Sequence, residues 1–335
     1  MSSPVPPPIV LYHYPFSPYA RRIVWYLRLR GISYLQCLQP PILPRPDISL
    51  LGLKYRRIPI LSIGRDIYLD TRLILPKLES LVPGPPLSAP PGSPSLALQS
   101  LLSLWTTSSP GGLFAHAMNL LPGADLPLLR DPAFQRDRAD FVGGGGARVS
   151  REESMGAIRD AVALLEGTVL ADGREWVLGG EGGPSLGDIE AVWVVHWLTG
   201  LKGALDERVV SGEKFPRVYA WLGRFQRAVE EAKGRVEVRT VEGEEARGVI
   251  SGAERVEGGC GGVDGEEPVV RKYGLREGDL VEVWPVDTGS AHVDVGRLVG
   301  LSAVEVVFET DKGFRVHAPR DGFRVKPVKR AEASL

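Results

Sequence analysis

Residues 9–31, IVLYHYPFSPYARRIVWYLRLRG, carry the strongest fold signal in the chain. The run from Ile9 to Tyr14 is short, apolar and aromatic, which is typical of a buried strand. Ser17 followed by Pro18 has the form of a helix N-cap with proline at the first helical position. Apolar residues then recur at helical spacing until Gly31, a residue type that commonly ends helices. This stretch therefore predicts a strand, a sharp break and a helix that begins at Ser17.

The residues that follow extend this start into a compact α/β unit. Ile32 to Gln39 has the pattern of a second strand, and a proline-rich loop comes after it. Ile58 to Ile63 and Asp66 to Leu69 predict a hairpin that turns at Gly64 and Arg65. Asp70-Thr71 then opens another helix with an apolar face. The order of elements is βαβ–ββα.

Beyond a proline-rich stretch the pattern becomes helical. Ser185-x-x-Asp188 has the form of a capping box at the start of a helix that is apolar on most sides. Such a helix is predicted to lie at the centre of a bundle. Ser150-x-x-Glu153 predicts a second capping box. Asp188 is therefore expected to support the fold and not to act in catalysis.

The C-terminal part changes period again. A segment rich in Gly and Glu has no periodicity and is typical of a flexible linker. Five short runs with a period of two then follow, separated by Gly and Asp, which predicts a small β-barrel or β-roll. The predicted division is a flexible leader (1–8), an α/β unit (9–83), a proline-rich linker (84–95), an all-helical domain (96–233), a Gly/Glu-rich linker (234–268) and a small β-rich domain (269–330).

Composition excludes several classes of protein. The chain has 335 residues, and 40 Lys and Arg against 41 Asp and Glu leave a net charge of −1, without the basic excess of a nucleic-acid-binding protein. No apolar run is long enough for a membrane span, and the N-terminus lacks the pattern of a signal peptide. Two distant cysteines, Cys37 and Cys260, exclude a disulfide scaffold and a zinc ribbon. The five histidines show no metal-ligand spacing, and a cytoplasmic location is the default expectation.

The order of these features resembles the cytosolic glutathione transferase superfamily. Ile58-Pro59 before the hairpin and Asp70-Thr71 at a helix start match its thioredoxin-like N-terminal domain, and Ser185-x-x-Asp188 matches the capping motif of its helical domain. The stretch from Ser17 to Arg22 is most similar to the omega-like and fungal branches. With the β-rich tail included, the chain resembles fungal glutathione-transferase-like proteins that have an extended C-terminus.

The resemblance assigns roles to particular residues. Ser17 is the candidate activator of the glutathione sulfur, because a helix N-terminus stabilises a thiolate. Tyr12, Tyr14 and Tyr19 are alternative donors, and a plain N-cap serine is the structural alternative. In this family the bond before Pro59 is cis, and the backbone of Ile58 pairs with the cysteinyl part of glutathione.

The same resemblance predicts where the two ends of glutathione bind. Asp70 and Thr71 would bind the γ-glutamyl end. Relatives usually have Glu or Gln followed by Ser at these positions, so the Asp70 side chain is shorter than its counterpart and extends less far toward the ligand. Arg57, or Arg56 beside it, would pair with the glycyl carboxylate. The structural alternatives are a helix cap for the first pair and solvated loop charges for the arginines.

Two functions fit the sequence. The first is an enzyme that activates glutathione, its co-substrate, for conjugation, isomerisation or elimination on a small apolar electrophile bound near Phe16, Trp105 or Phe114, in fungal secondary metabolism or detoxification. Because Ser17 stands where omega-like relatives have cysteine, disulfide reductase chemistry is disfavoured. The second is a non-catalytic binding or scaffold protein of the same fold. Neither reading needs a metal, and both allow a homodimer.

Overall fold

The structure, a computed structural model, describes residues 6–108, 111–123, 126–142, 149–180, 182–257 and 262–328. The glycine run 143–146 and Cys260 lie outside these ranges. Within them the strands form one ten-stranded sheet in the order β10-β6-β7-β8-β9-β4-β3-β1-β2-β5. No described helix is long and apolar enough to cross a membrane.

The first α/β unit has the predicted order of elements with one addition, a short helix, Pro46–Ser49, where a proline-rich loop was predicted. Strand β1 runs parallel to β2 and antiparallel to β3, which forms a hairpin with β4. Three helices accompany these strands, and the first begins at Pro18 with Ser17 as its N-cap. The elements are β1 (Ile9–His13), α1 (Pro18–Leu29), β2 (Tyr34–Leu38), α2 (Pro46–Ser49), β3 (Ile60–Ile63), β4 (Asp66–Leu69) and α3 (Thr71–Leu81).

The middle of the chain is helical, as predicted. Both capping boxes are present, at Ser150 with Glu153 and at Ser185 with Asp188. Asp188 also accepts hydrogen bonds from the backbone of Val177 at 2.8 Å and from the Trp221 indole at 2.9 Å, which agrees with a structural role. The helices are α4 (Pro94–Thr107), α5 (Leu113–Asn119), α6 (Pro127–Arg130), α7 (Pro132–Val142), α8 (Arg151–Leu164, continued by a π-helical turn, Leu165–Val169), α9 (Leu186–Thr199) and α10 (Pro216–Lys233).

The five predicted C-terminal strands exist, but they do not close into the predicted small barrel. They form an open sheet that continues the first unit, because β9 pairs in parallel with β4. An unpaired β4 would expose backbone donors and acceptors along its edge, and β9 satisfies them. The C-terminal elements are β5 (Val238–Thr240), α11 (Gly243–Gly252), α12 (Pro268–Tyr273), β6 (Leu280–Pro285), β7 (Asp294–Leu301), β8 (Glu305–Glu309), β9 (Arg315–Pro319) and β10 (Phe323–Pro327).

The segment 234–268 differs from the flexible linker that its composition predicts. Its strand β5 pairs in parallel with β2 at the other edge of the sheet. Helix α11 buries Ala246 and Ile250 against the apolar cluster that contains Ile48. Gly243 at the start of α11 lies so close to Asp47 that any side chain there would overlap it. Composition alone missed these elements because their apolar partners are far away in sequence.

The sheet separates two apolar cores. Along β1, Ile9 and Leu11 face the helical domain, whereas Val10 and Tyr12 face α2, α11 and the C-terminal strands. This alternation follows from the two-residue period of a strand. All five residues of β1 are buried because both faces of the sheet are covered.

Candidate functional site

Ser17 lies where β1 ends and α1 begins. Its side chain is 2% exposed, and its Oγ accepts a hydrogen bond from the backbone N–H of Ala20 at 3.2 Å. Among the described residues this hydroxyl donates to no partner. The free N–H groups of the first turn and the helix dipole favour negative charge at this end of α1. The hydroxyl proton is thus available to an acceptor beside the helix start.

The Ile58–Pro59 segment lies immediately before β3. The peptide bond between these residues is cis, as the sequence comparison predicted. In the described part of the chain, neither the N–H nor the C=O of Ile58 makes a backbone hydrogen bond, whereas Ile60 already pairs with Tyr12 of β1. Ile58 therefore offers one donor and one acceptor to an extended peptide-like ligand.

Asp70 has an unusual backbone. Its φ is 66°, a left-handed value that only this non-glycine residue adopts among the described residues. Its carboxylate caps α3 by accepting the Arg72 N–H at 3.0 Å, and it pairs with the guanidinium groups of Arg72 at 3.0 Å and Arg57 at 3.7 Å. Burial acts to raise the pKa of Asp70, but Arg72 and Arg57 outweigh it and hold the pKa below its usual value. Backbone strain of this kind is concentrated at functional sites.

Thr71, the next residue, is bound by Arg22 of α1. It is 1% exposed, and its Oγ1 accepts a hydrogen bond from Arg22 at 2.5 Å. Arg22 is fully buried and also pairs with Glu190 of α9. Burial raises the pKa of Glu190, although Arg22 opposes this shift. The side chain predicted to bind the γ-glutamyl end is therefore already engaged within the protein.

Arg57 contacts the loop between β6 and β7, residues 286–293, which we call the tail loop. Its guanidinium pairs with Asp287 and donates to the Thr288 carbonyl at 2.8 Å. The tail loop thus lies against the segment that carries Ile58. It also bonds to α7, because Gly289 N–H donates to the Phe141 carbonyl at 2.7 Å.

The tail loop approaches its neighbours closely. Gly289 has φ of 72°, and a Cβ built there would lie 3.0 Å from Cγ of Arg56. Arg56 is 3% exposed and pairs with Asp137 and Asp140 of α7, so it is not a solvated loop charge. Beside the loop, a cavity of about 390 Å³ is lined by Lys54 and Tyr55 on one side and by tail-loop residues on the other. The tail loop therefore packs on residues 54–57, next to the segment that carries Ile58.

Comparisons with known proteins agree with this geometry. Residues 11–86 match the family described as glutathione S-transferase, N-terminal domain, and residues 116–234 match a domain of unknown function, DUF7962. A search of curated proteins finds no match. A GST-like protein from Pseudomonas syringae is 23% identical, with a TM-score of 0.64 over 96% of this chain and 99% of the bacterial chain. The chain has the glutathione S-transferase fold.

Two further solved structures are similar over smaller parts of this chain. A rice protein, GST1, solved in complex with glutathione, is 19% identical and covers 74% of this chain and 96% of its own, with a TM-score of 0.49. Glutathione transferase E6 from Drosophila melanogaster is 19% identical and covers 72% of this chain and 96% of its own, with a TM-score of 0.48. The coverage of the bacterial structure includes the C-terminal strands, so this extension of the fold has a counterpart there.

An aromatic cluster lies where α1 meets the helical domain of this fold. The ring of Tyr19 lies 4.8 Å from Phe114 and 4.7 Å from Trp193, measured between centroids. Burial raises the pKa of Tyr19 to about 12, and Arg22 opposes this. Its phenol therefore stays protonated at neutral pH. Of the predicted substrate neighbours, Phe114 belongs to this cluster, whereas Phe16 is 49% exposed beside Tyr14.

Two parts of the site were not predicted from the sequence. The pairing of Arg22 with Glu190 was not anticipated, although an acid on an otherwise apolar helix, in addition to the capping Asp188, is a signal of a buried partner. The tail-loop residues Asp287 and Thr288 carried no signal at all, because nothing local shows that a distant loop returns to Arg57.

A second charged cluster lies where β4 meets β9. Ligand atoms of Glu257, Glu305 and His317 lie within 4.8 Å of one another, the spacing of a metal site. The Lys77 ammonium, however, donates to Glu257 at 2.7 Å and to Glu305 at 2.8 Å. A positive charge already balances the carboxylates, so this cluster is explained as an ion-pair network.

Proposed function

We propose that this protein binds glutathione between α1, β3 and α3 and activates its thiol toward a small apolar electrophile. The observation that carries the proposal is the unpaired backbone of Ile58 within a segment that matches a glutathione S-transferase N-terminal domain. An extended cysteinyl residue would complete both hydrogen bonds as an added strand.

Ser17 is the proposed activator. The N-terminus of α1 lowers the pKa of a thiol placed there, because it stabilises the thiolate. The Ser17 hydroxyl, whose acceptor lone pair is used by Ala20, would donate its proton to the sulfur. The thiol proton passes to solvent, the thiolate forms a C–S bond with the electrophile, and in conjugation the leaving group departs with its electron pair. Tyr19 is the alternative donor, since its phenol is protonated at neutral pH.

Recognition of the two ends of glutathione would involve Arg57, Asp70 and Thr71. Each of these side chains already has a protein partner, and Asp287 competes directly for Arg57. A carboxylate of glutathione would have to displace Asp287 from the guanidinium. We therefore expect weak binding, with Kd on the order of 1 mM.

The protein partners of these side chains favour one alternative, a non-catalytic scaffold or binding protein that keeps the fold. Thr71 bonded to Arg22 and Arg57 bonded to Asp287 form a set of contacts that is complete without a ligand. In that case the tail loop would be a permanent part of the fold. A fold alone does not establish a function, so glutathione binding has to be measured.

Calorimetry with glutathione and turnover with a panel of apolar electrophiles test these alternatives. Asp287→Asn keeps the shape of the tail loop and removes the competing charge, so it should tighten glutathione binding by about 3–10-fold. Ser17→Ala should lower turnover by about tenfold or more, with little change in Kd. Ser80→Ala, an exposed serine near the end of α3, is the matched control and should change neither.

The outcomes separate the hypotheses. Absence of binding at about 10 mM glutathione in both the wild type and Asp287→Asn rejects the glutathione site. Binding without turnover supports the scaffold. An unchanged rate in Ser17→Ala removes Ser17 from the mechanism and directs attention to Tyr19→Phe.

We further propose a homodimer and a cytoplasmic location. Leu101 and Leu104 on α4 are 62% and 48% exposed, an apolar surface that self-association would cover. Sedimentation of the wild type and of Leu101→Glu tests the dimer, and cell fractionation tests the location. Affiliation with fungal, omega-like relatives remains a prediction for a phylogeny to test.

A further inference from the structure

A cleft of about 350 Å³ lies on a different face of α1 from Tyr19 and Arg22. Arg21, Trp25 and Arg28, at positions i, i+4 and i+7 of the helix, form one wall. His13 and Gln36 from the first two strands and His196 from α9 form other parts. Its volume is within the range of about 300–1,000 Å³ that is usual for small-ligand sites.

Arg21 and Arg28 are positive charges without a counter-ion. Among the described residues, neither guanidinium makes a hydrogen bond or an ion pair, and Nε of Arg28 is buried without a partner. Partial burial of its charge lowers the pKa of Arg21. By contrast, Arg22 next to it pairs with Glu190, and Arg57 pairs with Asp287.

Two histidines that line the cleft each have one ring nitrogen without a hydrogen-bond partner. His13 is 4% exposed, its Nε2 lies 3.1 Å from Oε1 of Gln36, and its Nδ1 is buried without a partner. His196 has the same arrangement, with Nε2 at 2.6 Å from Oε1 of Gln226 and Nδ1 unpartnered. Burial lowers the pKa of both imidazoles, and the nearby charge of Arg21 adds to the effect at His196.

Trp25, between the two arginines on α1, gives the cleft an apolar surface. Trp25 is 4% exposed, and its ring meets His196 and Phe225 edge to face, each at 5.0 Å between centroids. No carboxylate is among the described residues that line the cleft. The site thus combines unpaired cations with a fixed aromatic surface, and an acidic group would relieve the cost of burying those cations.

We propose that this cleft binds a small organic anion, a molecule with one carboxylate or phosphate group on a flat apolar body. The charged group is held by Arg21 and Arg28, and the apolar body lies against Trp25. This site is separate from the proposed glutathione site and does not depend on it. A carboxylate and a phosphate monoester share the chemistry that the two arginines recognise.

Benzoate and phenyl phosphate are suitable probes, with benzyl alcohol as the uncharged control. Titration of the full-length protein by calorimetry should show binding of one or both anions and none of the alcohol. Arg21→Gln and Arg28→Gln should each weaken binding by about tenfold or more, because each removes a charge-assisted contact. Arg276→Gln, which removes an exposed arginine of the C-terminal part, should leave the affinity unchanged. Thermal unfolding verifies that each variant is folded.

Competition identifies which site is measured. Saturating glutathione should leave benzoate and phenyl phosphate affinity unchanged, and Asp287→Asn should have no effect on it. The proposal is overturned by failure of both anions to bind the wild type at about 10 mM, by equal affinity in the double variant Arg21→Gln/Arg28→Gln, or by displacement of the anion with glutathione. Failure of glutathione to bind at all would reject the proposed function and leave this inference standing.

Discussion

The thioredoxin-like unit, residues 9–83, meets the helical domain and the C-terminal strands along boundaries with different chemistry. The first, which we call the helical boundary, is where α1 packs on α9. It consists of aromatic rings around one fully buried ion pair, Arg22 with Glu190. Arg22 also lies over the Trp193 ring, 5.2 Å from its centroid. Apolar burial provides most of the attraction there.

The second, the tail boundary, is where β4 pairs with β9, and it is dominated by titratable groups. His317 is fully buried, with Nδ1 3.0 Å from Glu305 and Nε2 3.6 Å from Asp66. Lys77 bridges Glu305 and Glu257 beside it. The comparison shows that one unit is attached to its neighbours in two ways: mainly by apolar contacts at the helical boundary and mainly by ion pairs at the tail boundary, whose stability should depend on pH.

The largest expected effect is at the helical boundary. Glu190→Ala leaves the Arg22 charge buried and should lower the free energy of unfolding by about 3–5 kcal/mol in urea denaturation. Arg22→Met combined with Glu190→Met should recover most of this loss, because well-packed apolar residues replace a buried ion pair at little cost. Glu230→Ala is the matched control, since its pair with Lys233 is exposed and contributes little. Equal losses in Glu190→Ala and Glu230→Ala would contradict the assignment.

The next effect is the pH dependence of the tail boundary. Burial acts to lower the pKa of His317, but Asp66 and Glu305 outweigh it, so the pKa is raised in the folded protein. The stabilisation is therefore complete below the unfolded value of about 6.5 and is lost as pH rises through the folded pKa. The pKa values of Asp66 and Glu305 are lowered, so their contribution is lost as pH falls below about 4.

Urea denaturation between pH 5 and 9 measures this dependence. His317→Gln should cost about 1–3 kcal/mol at pH 5.5 and less at pH 9, which flattens the profile. His116→Gln, in the helical domain, is the control and should keep the slope of the wild type. A slope that is unchanged in His317→Gln would show that the tail boundary does not depend on this imidazole.

A smaller effect is expected where β7 contacts the thioredoxin-like unit. Asp294 is 2% exposed, and its Oδ1 accepts the N–H groups of Lys54 at 2.6 Å and Tyr55 at 3.2 Å. Burial raises the pKa of Asp294 to about 7 despite these bonds. The folded protein thus binds a proton that the unfolded chain has released, and the associated stability is present below about pH 4 and lost as pH rises toward 7.

Asp294→Asn keeps the acceptor oxygen and removes the charge. We compare the change in the free energy of unfolding that this substitution causes at two pH values. The change at pH 8 should be more stabilising than the change at pH 4 by about 1 kcal/mol. Asp279→Asn serves as the comparison, because Asp279 is only half-buried and its carboxylate also accepts a backbone N–H, from Arg276 at 2.8 Å. The same difference from the wild type at both pH values would mean that Asp294 is ionised in the folded protein throughout.

Much of the local structure is predictable from the sequence. Ser17, Ser150 and Ser185 cap helices as predicted, and the five predicted C-terminal strands are present as β6 to β10. The positions of Ser17, Ile58, Asp70 and Thr71 at element ends also follow from local pattern. Caps, turns and periodicity act over a few residues, so one sequence contains them completely.

Which elements become partners is determined by long-range contacts in the folded chain. A period of two specifies strands but not whether they close on themselves or pair with a distant edge, so the predicted barrel became an extension of the first sheet. In the same way, the sequence predicts that Arg57 binds a ligand, whereas in the folded protein Arg57 pairs with Asp287. Arg21 and Arg22 are neighbours in sequence, but among the described residues only Arg22 forms an ion pair. Backbone pairing and ion pairs connect groups hundreds of residues apart, and only the folded chain brings them within a few ångströms.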